Sequence, residues 1–159
     1  MSTMNYVAFG TRRRLRYILD FGTFLCLILI KMTSLAMTIS HKLASLRKSK
    51  FRSKFRLSQK DRDYIAVKGL ETIKEHAYQF INSRVASDFP KNDGKQTPMR
   101  GHPVFIAQHA TATCCRGCIL KWHGIEKGRA MNVKEVDFVV SLIMEWIGAQ
   151  INEKTGSAM

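Results

Sequence analysis

Apolar and polar residues after position 57 follow each other with the period of an α-helix. The first periodic stretch begins at Ser58, which can cap a helix, and ends before Pro90. The last one begins at Asn132 and keeps an apolar face as far as Ile151. Acidic residues three positions after each start (Asp61 and Glu135) resemble capping boxes. Both stretches therefore predict amphipathic helices.

Two shorter helices are predicted between these stretches. Pro103 suits the first turn of a helix over residues 102–110. Thr113 can cap a helix over residues 114–123, and Gly124 suits its end. The residues before the first of these helices form a loop rich in Gly, Pro, Asn and Asp. No alternating strand run of useful length occurs, so the fold class predicted is mostly α.

One compact domain of about four helices is predicted over residues 58–151. A chain of 159 residues with 45% hydrophobic content can bury one core and is too short for two comfortable ones. The remaining parts are an N-terminal extension at residues 1–40, a basic arm at 41–57 and a tail at 152–159.

The positive charge is concentrated in the first third of the chain. Residues 1–57 carry twelve Lys or Arg and one acid, whereas residues 58–159 carry fourteen Lys or Arg and eleven acids. A basic arm of this kind can contact phosphate, so nucleic acid is the predicted partner. Phe51 and Phe55 are four apart in this arm. We expect their rings to fill the core of the domain while the charges stay solvated, although they could instead stack on bases.

The N-terminal extension allows three interpretations. Four arginines precede ten uncharged and largely apolar residues, 21–30, and Lys31 interrupts the apolar run. An over-extended translation start is favoured, and a signal or membrane anchor and an amphipathic surface helix are the alternatives. Membrane contact is expected only through residues 17–40. Clustered cysteines favour a cytoplasmic location, with a membrane-anchored protein as the alternative.

The most informative stretch of the chain is a cluster of histidine and cysteine. It comprises His109, Cys114, Cys115, Cys118 and His123. On a helix, positions three and four apart share a face, so the thiols can converge. Two or three thiolates with the two histidines would complete a tetrahedral shell, and thiolate-rich sets favour zinc. Zinc is therefore the cofactor predicted, although the spacing matches no standard zinc finger.

Two other interpretations of the cluster stay open. Cys115 and Cys118 form a C-x-x-C at a helix N-terminus beside Arg116, where a lowered thiol pKa would suit redox chemistry or a cysteine nucleophile. Alternatively, the cysteines are small buried residues that fill the core.

The residues around the cluster also carry a specific sequence signature. It reads HATATCCRGC at residues 109–118 and KWHGI at residues 121–125. Together with Lys54–Ser58 and Asn92–Pro98, it resembles a small prokaryotic family that is a domain of unknown function. The resemblance covers about residues 43–150. It implies that the family domain begins near residue 43, and it implies no activity, cofactor or catalytic residue.

Two functions follow as hypotheses. The first is a zinc-stabilised binding module that contacts nucleic acid through its basic arm. The second is a metal- or thiol-dependent enzyme that acts on an anionic substrate at the cluster. Four cations are the candidate contacts to nucleic acid or to such an anion: Lys95, Arg100, Arg116 and Arg129. No small-molecule partner can be identified from the sequence.

Overall fold

Helices follow one another along residues 38–155, the part of the chain that this computed structural model describes, with side chains as far as residue 153. The α-helices are α1 (residues 38–47), α2 (Gln59–Lys68), α3 (Leu70–Arg84), α4 (Pro103–Ala110), α5 (Arg116–His123) and α6 (Val133–Thr155). A short 3-10 helix, Arg52–Lys54, lies between α1 and α2. No strand occurs in these residues, so the prediction of a mostly helical fold is confirmed.

The helix starts at Ser58 and Asn132 are built as capping boxes. The Asp61 N–H donates to Ser58 Oγ at 3.2 Å, and the Ser58 N–H donates to Asp61 Oδ2 at 2.9 Å. Asn132 and Glu135 exchange the same pair of hydrogen bonds at 3.0 and 2.9 Å. Each box pairs backbone N–H groups that the first turn of a helix leaves without partners.

The long helix predicted from Ser58 is divided in two. Gly69 ends α2 and precedes α3, with φ at 81° and ψ at 150°. Only glycine occupies that backbone region readily, so the chain changes direction there while the apolar spacing continues across the break. The structure therefore has more helices than the four expected.

The core lies where α3, α4 and α6 meet. All eight residues of α4 are buried. The best-buried apolar side chains around it come from α3, α5 and α6: Ile73, Ala77, Ile81, Ile119, Val139, Leu142, Ile143 and Ile147. Because α4 is enclosed in this way, the turn that follows it, residues 111–115, also lies against the core.

Residues 41–57, predicted to be a basic arm, lie against the helices that follow. Leu43, Leu46 and Leu57 are buried members of the core, and Arg52 is only 8% exposed. Phe55 packs partly buried against the core, as expected for both rings, but Phe51 is 53% exposed. This basic segment thus also contributes side chains to the core of the domain.

Part of the N-terminal extension lies outside the described residues. This concerns Cys26 and all of the predicted membrane-contact segment up to residue 37. Among residues 38–155, no helix is long and apolar enough to span a bilayer.

Candidate metal centre

A tight turn between α4 and α5 presents the cysteines. Thr111 Oγ1 donates to the Ala107 carbonyl at 2.8 Å, and the Thr113 N–H donates to the Gln108 carbonyl at 2.8 Å. Ala112 adopts a positive φ of 60° within this turn. The chain is therefore reversed within a few residues, which brings the cysteines at the start of α5 close to the end of α4.

Cys115 caps α5, in place of the predicted Thr113. The Cys118 N–H donates to Cys115 Sγ at 3.3 Å, in the position of an N-cap hydrogen bond. The helix accordingly begins at Arg116, two residues later than expected, and it ends at Gly124 in the left-handed conformation, as predicted. Since the capping atom is itself a thiol sulfur, helix formation draws two of the cysteines together.

Three sulfur atoms converge at this point. The Sγ atoms of Cys114, Cys115 and Cys118 all lie within 4.8 Å of one another. Zinc–sulfur bonds of about 2.3 Å place the thiolates of one tetrahedral site about 3.8 Å apart, so small side-chain adjustments would suffice. Cys114 and Cys115 are buried and Cys118 is half-buried. The chain thus has a cysteine cluster that could bind a metal ion.

The three thiols differ in acidity. A hydrogen bond from the Cys114 thiol, with further ones from Cys115 and Arg52, lowers the pKa of Cys118 to about 5, although burial opposes this shift. The hydrogen bond to Cys118 in turn raises the pKa of Cys114, and burial raises the pKa of Cys115. The three thiols titrate together, and the hydrogen bonds from its neighbours and from Arg52 favour the thiolate form at Cys118 over Cys114 and Cys115.

Arg52 supplies the positive charge beside the cluster. Its Nη2 donates to Cys118 Sγ at 3.3 Å, and its Nη1 donates to the carbonyl oxygen of His109. The guanidinium also lies 5.4 Å from the centroid of the Trp122 ring. The expected cation beside the thiols was Arg116, but the contact comes from a residue 66 positions before Cys118 in the chain. No local pattern distinguishes Arg52 from its basic neighbours, which explains why the sequence does not reveal it.

The two histidines predicted as ligands make hydrogen bonds to backbone carbonyls. His109 Nε2 donates to the carbonyls of Thr97 and Pro98 at 3.3 and 3.2 Å, and His123 Nε2 donates to that of Thr111 at 2.8 Å. Burial lowers the pKa of both rings, that of His123 to about 4, and so favours their neutral forms. Among the described residues, the group of converging ligand atoms consists of the three sulfurs without either ring.

The loop before α4 is attached to the same region. Asp93 Oδ1 accepts from the Arg116 N–H at 2.9 Å, and its Oδ2 pairs with Lys127 at 2.9 Å. Thr97 Oγ1 donates to the Cys114 carbonyl at 2.8 Å. Hydrogen bonds therefore hold the loop, the turn and the start of α5 together around the thiols. The sequence did not indicate that Asp93 and Thr97 take part in these contacts.

The four predicted anion contacts occupy different environments. Arg116 is fully buried, and its Nη2 donates to the carbonyls of Glu126 and Arg129. Arg129 forms a bidentate ion pair with Glu135, in which Nη1 and Nη2 donate to the two carboxylate oxygens at 2.8 and 2.5 Å. This pair lowers the pKa of Glu135 to about 2. Lys95 and Arg100 are exposed. The structure does not bring the four side chains together, and Arg116 and Arg129 hold the segment between α5 and α6.

Fold and site together define a small helical domain with a three-cysteine cluster at a helix start. A family model described as "Domain of unknown function (DUF4186)" matches residues 40–148. The chain therefore belongs to this family, as its sequence signature suggested. No solved structure matches the chain.

Proposed function

We propose that Cys114, Cys115 and Cys118 bind one zinc ion and that this ion stabilises the domain. The observation that supports the proposal is the convergence of the three sulfurs within 4.8 Å. Thiolates are soft ligands and select zinc over hard cations such as magnesium or calcium. Zinc with three thiolates has a net charge of −1, and the Arg52 guanidinium hydrogen-bonded to Cys118 would neutralise it.

The ion would have a structural role. Its ligands come from the turn after α4 and from the first turn of α5, and the loop around Asp93 and Thr97 is bonded to both. An ion held there would link the turn to the start of α5 directly, in addition to the hydrogen bonds that join both to this loop. Binding releases the protons of Cys114 and Cys115, so zinc affinity should fall as the pH is lowered.

The proposed partner of this module is nucleic acid. Four of the seven cations in residues 41–57 have partners within the domain: Arg52, Lys42, Arg47, which pairs with Glu153, and Arg56, which donates to the carbonyls of Ser53 and Phe55. The other three are exposed on its surface: Lys48, Lys50 and Lys54. Exposed cations on one basic segment support a sequence-independent, salt-dependent contact with phosphates.

A second candidate function is thiol chemistry, and the lowered pKa of Cys118 favours it. A half-buried thiolate hydrogen-bonded to a guanidinium is the environment of a reactive cysteine. The two candidates differ in their response to a chelator. A zinc-bound Cys118 is protected from alkylation until the metal is removed, whereas a free thiolate reacts at once.

The test combines single Cys→Ser variants with a chelator. Wild-type protein should melt at a lower temperature after chelation, and its cluster thiols should then react faster with an alkylating reagent. Variants of Cys114, Cys115 or Cys118 should contain less zinc, and chelation should hardly change their melting temperatures. Cys26→Ser is the matched control and should behave like wild type. Fast alkylation of Cys118 before chelation would favour the thiol candidate over zinc.

A further inference from the structure

A groove of about 870 Å³ lies beside the cluster, between the 3-10 helix, the start of α2 and the loop before α4. Phe55 lines this groove and stacks on His109, with ring centroids 5.5 Å apart and planes 14° apart. Phe55 therefore connects the wall of the groove to the end of α4. The lining combines aromatic or soft apolar side chains with cations: Phe51, Phe55, Tyr64, Met99 and His102, and Lys54, Arg56, Lys60 and Arg100.

The charge of the groove is strongly one-sided. Asp61 is the one acidic residue in its lining, and the Ser58 N–H and hydroxyl donate to its carboxylate at 2.9 and 2.5 Å. Among the described residues, no carboxylate forms an ion pair with Lys54, Lys60 or Arg100. The lining is thus complementary to a ligand that carries several negative charges.

The groove also presents apolar surface to solvent. Phe51 is 53% and Met99 51% exposed, although large apolar side chains such as these are usually buried. Phe51 meets the edge of Phe55 at a centroid distance of 5.3 Å and an angle of 77°, and the Arg52 guanidinium lies 5.7 Å from its ring centroid, while much of its surface remains open. An exposed ring flanked by unpaired cations is the arrangement that stacks a base and binds its phosphates.

We propose that this groove binds a short single-stranded nucleic acid, with Phe51 stacking on a base and Lys54, Lys60 and Arg100 contacting phosphates. The inference deepens the nucleic-acid part of the proposed function by naming its site. Single strands are favoured over duplex because only unpaired bases can present their faces to Phe51. The zinc proposal does not depend on it.

The first experiment measures binding of a fluorescent oligothymidylate of about twelve nucleotides to the full chain by anisotropy. Phe51→Ala should weaken binding roughly tenfold, because it removes the stacking surface. Phe89→Ala is the matched control, since Phe89 is also exposed (79%) and lies outside the groove. It should leave the affinity unchanged.

The second experiment measures the salt dependence of that affinity between about 50 and 200 mM salt. The double variant Lys54→Gln with Arg100→Gln should reduce the slope of log K against log salt by about 1.4, from two lost phosphate contacts on a single strand. Lys91→Gln with Lys134→Gln removes the same charge from exposed positions outside the groove and should change the slope much less.

Each alternative result has a definite meaning. If wild type binds the oligonucleotide but Phe51→Ala binds equally well, or if a duplex of equal length binds as tightly, the groove proposal is overturned while nucleic-acid contact survives elsewhere. If wild type binds neither strand form at low salt, both the groove and the nucleic-acid part of the proposed function fail. Zinc content, measured on the same samples, reports on the metal proposal separately.

Discussion

Arg52 joins the basic segment to the cysteine cluster through a single side chain. It is a buried residue of a short 3-10 helix, and its guanidinium contacts a sulfur of α5 and a carbonyl of α4. Buried charges are stable only when they are paired and hydrogen-bonded. The pairing here with the Cys118 thiolate makes Arg52 and the cluster dependent on each other.

We predict that Arg52→Gln lowers zinc affinity roughly 10- to 100-fold, the usual cost of losing a hydrogen-bond partner of a metal ligand. Arg52→Lys should be intermediate, because an ammonium keeps the charge and loses the planar fork. Competition with a chromogenic chelator measures both. Arg47→Gln is the control, since its ion pair with Glu153 is exposed on both sides. Equal affinity in Arg52→Gln and Arg47→Gln would argue against a role for Arg52 at the metal.

The ring of His102 must be neutral to cap α4, because its Nδ1 has to accept a hydrogen bond. Its Nδ1 accepts from the Val104 N–H at 3.1 Å and thereby caps α4, so the proton of the neutral ring is on Nε2, 3.1 Å from His76 Nδ1. Burial, with a smaller contribution from the charge of His76, lowers the pKa of His102 to about 4. His76 thus pairs with His102, which lines the groove.

This depressed pKa predicts a loss of stability in acid. Between about 4 and 6.5, the unfolded His102 binds more protons than the folded one, so the free energy of unfolding falls as the pH falls through that window. His102→Asn should keep the cap without titrating and should make the decline in melting temperature from pH 7 to pH 4 shallower. Identical pH profiles for His102→Asn and wild type would contradict this account.

Among the elements, the break between α2 and α3 depends on the backbone of one residue. Gly69 has a φ of 81°, and a Cβ built on it would meet nothing within 4 Å. Any cost of a larger residue there is therefore a backbone cost. Gly148, inside α6, also has open space around it, but no left-handed φ. Both glycines have room for a Cβ, but only Gly69 has a positive φ, so the pair tests the effect of the backbone conformation.

We predict opposite effects of alanine at these two sites. Gly69→Ala should destabilise the domain by about 1–3 kcal/mol, because the conformation is one that only glycine adopts readily. Gly148→Ala should stabilise it by about 0.5–1 kcal/mol through a better helix propensity. Urea unfolding followed by circular dichroism measures both. A neutral or stabilising Gly69→Ala would show that α2 and α3 can join without that turn.

The sequence predicted those parts of the fold that local chemistry determines. Ser58, Asn132, Pro103 and Gly124 mark true helix ends because capping involves neighbours in the chain. It predicted the convergence of the thiols for the same reason. It did not indicate Arg52, because contacts across the fold have no local pattern, and the predicted ligands His109 and His123 lie outside the group of three converging sulfurs.

At the scale of the whole molecule, the basic segment, residues 41–57, contributes both to the charged surface and to the core. Leu43, Leu46 and Leu57 bury their side chains in the domain while the cations between them remain at its surface. Burial of each leucine contributes roughly 1.5–3 kcal/mol, and small domains are stable by only about 5–15 kcal/mol in total. The three contributions are large enough to decide whether the domain folds.

A chain that starts at Met37 should therefore remain folded, with cooperative thermal unfolding and helical circular dichroism. A chain that starts at Ser58 should lose cooperative unfolding, because it lacks Arg52 and the three leucines. The comparison needs only melting curves of the two proteins. A cooperative transition at the same temperature in both would mean that the segment contributes nothing to the core.

If the three thiols form a zinc site, the metal content of the full-length protein will show it. The protein should be purified without a chelating tag and analysed for all transition metals. We expect about one zinc per chain, falling to near zero in Cys118→Ser and unchanged in Cys26→Ser. Protein that contains no metal and takes up none from added zinc would contradict the claim and leave Cys114, Cys115 and Cys118 as packing residues.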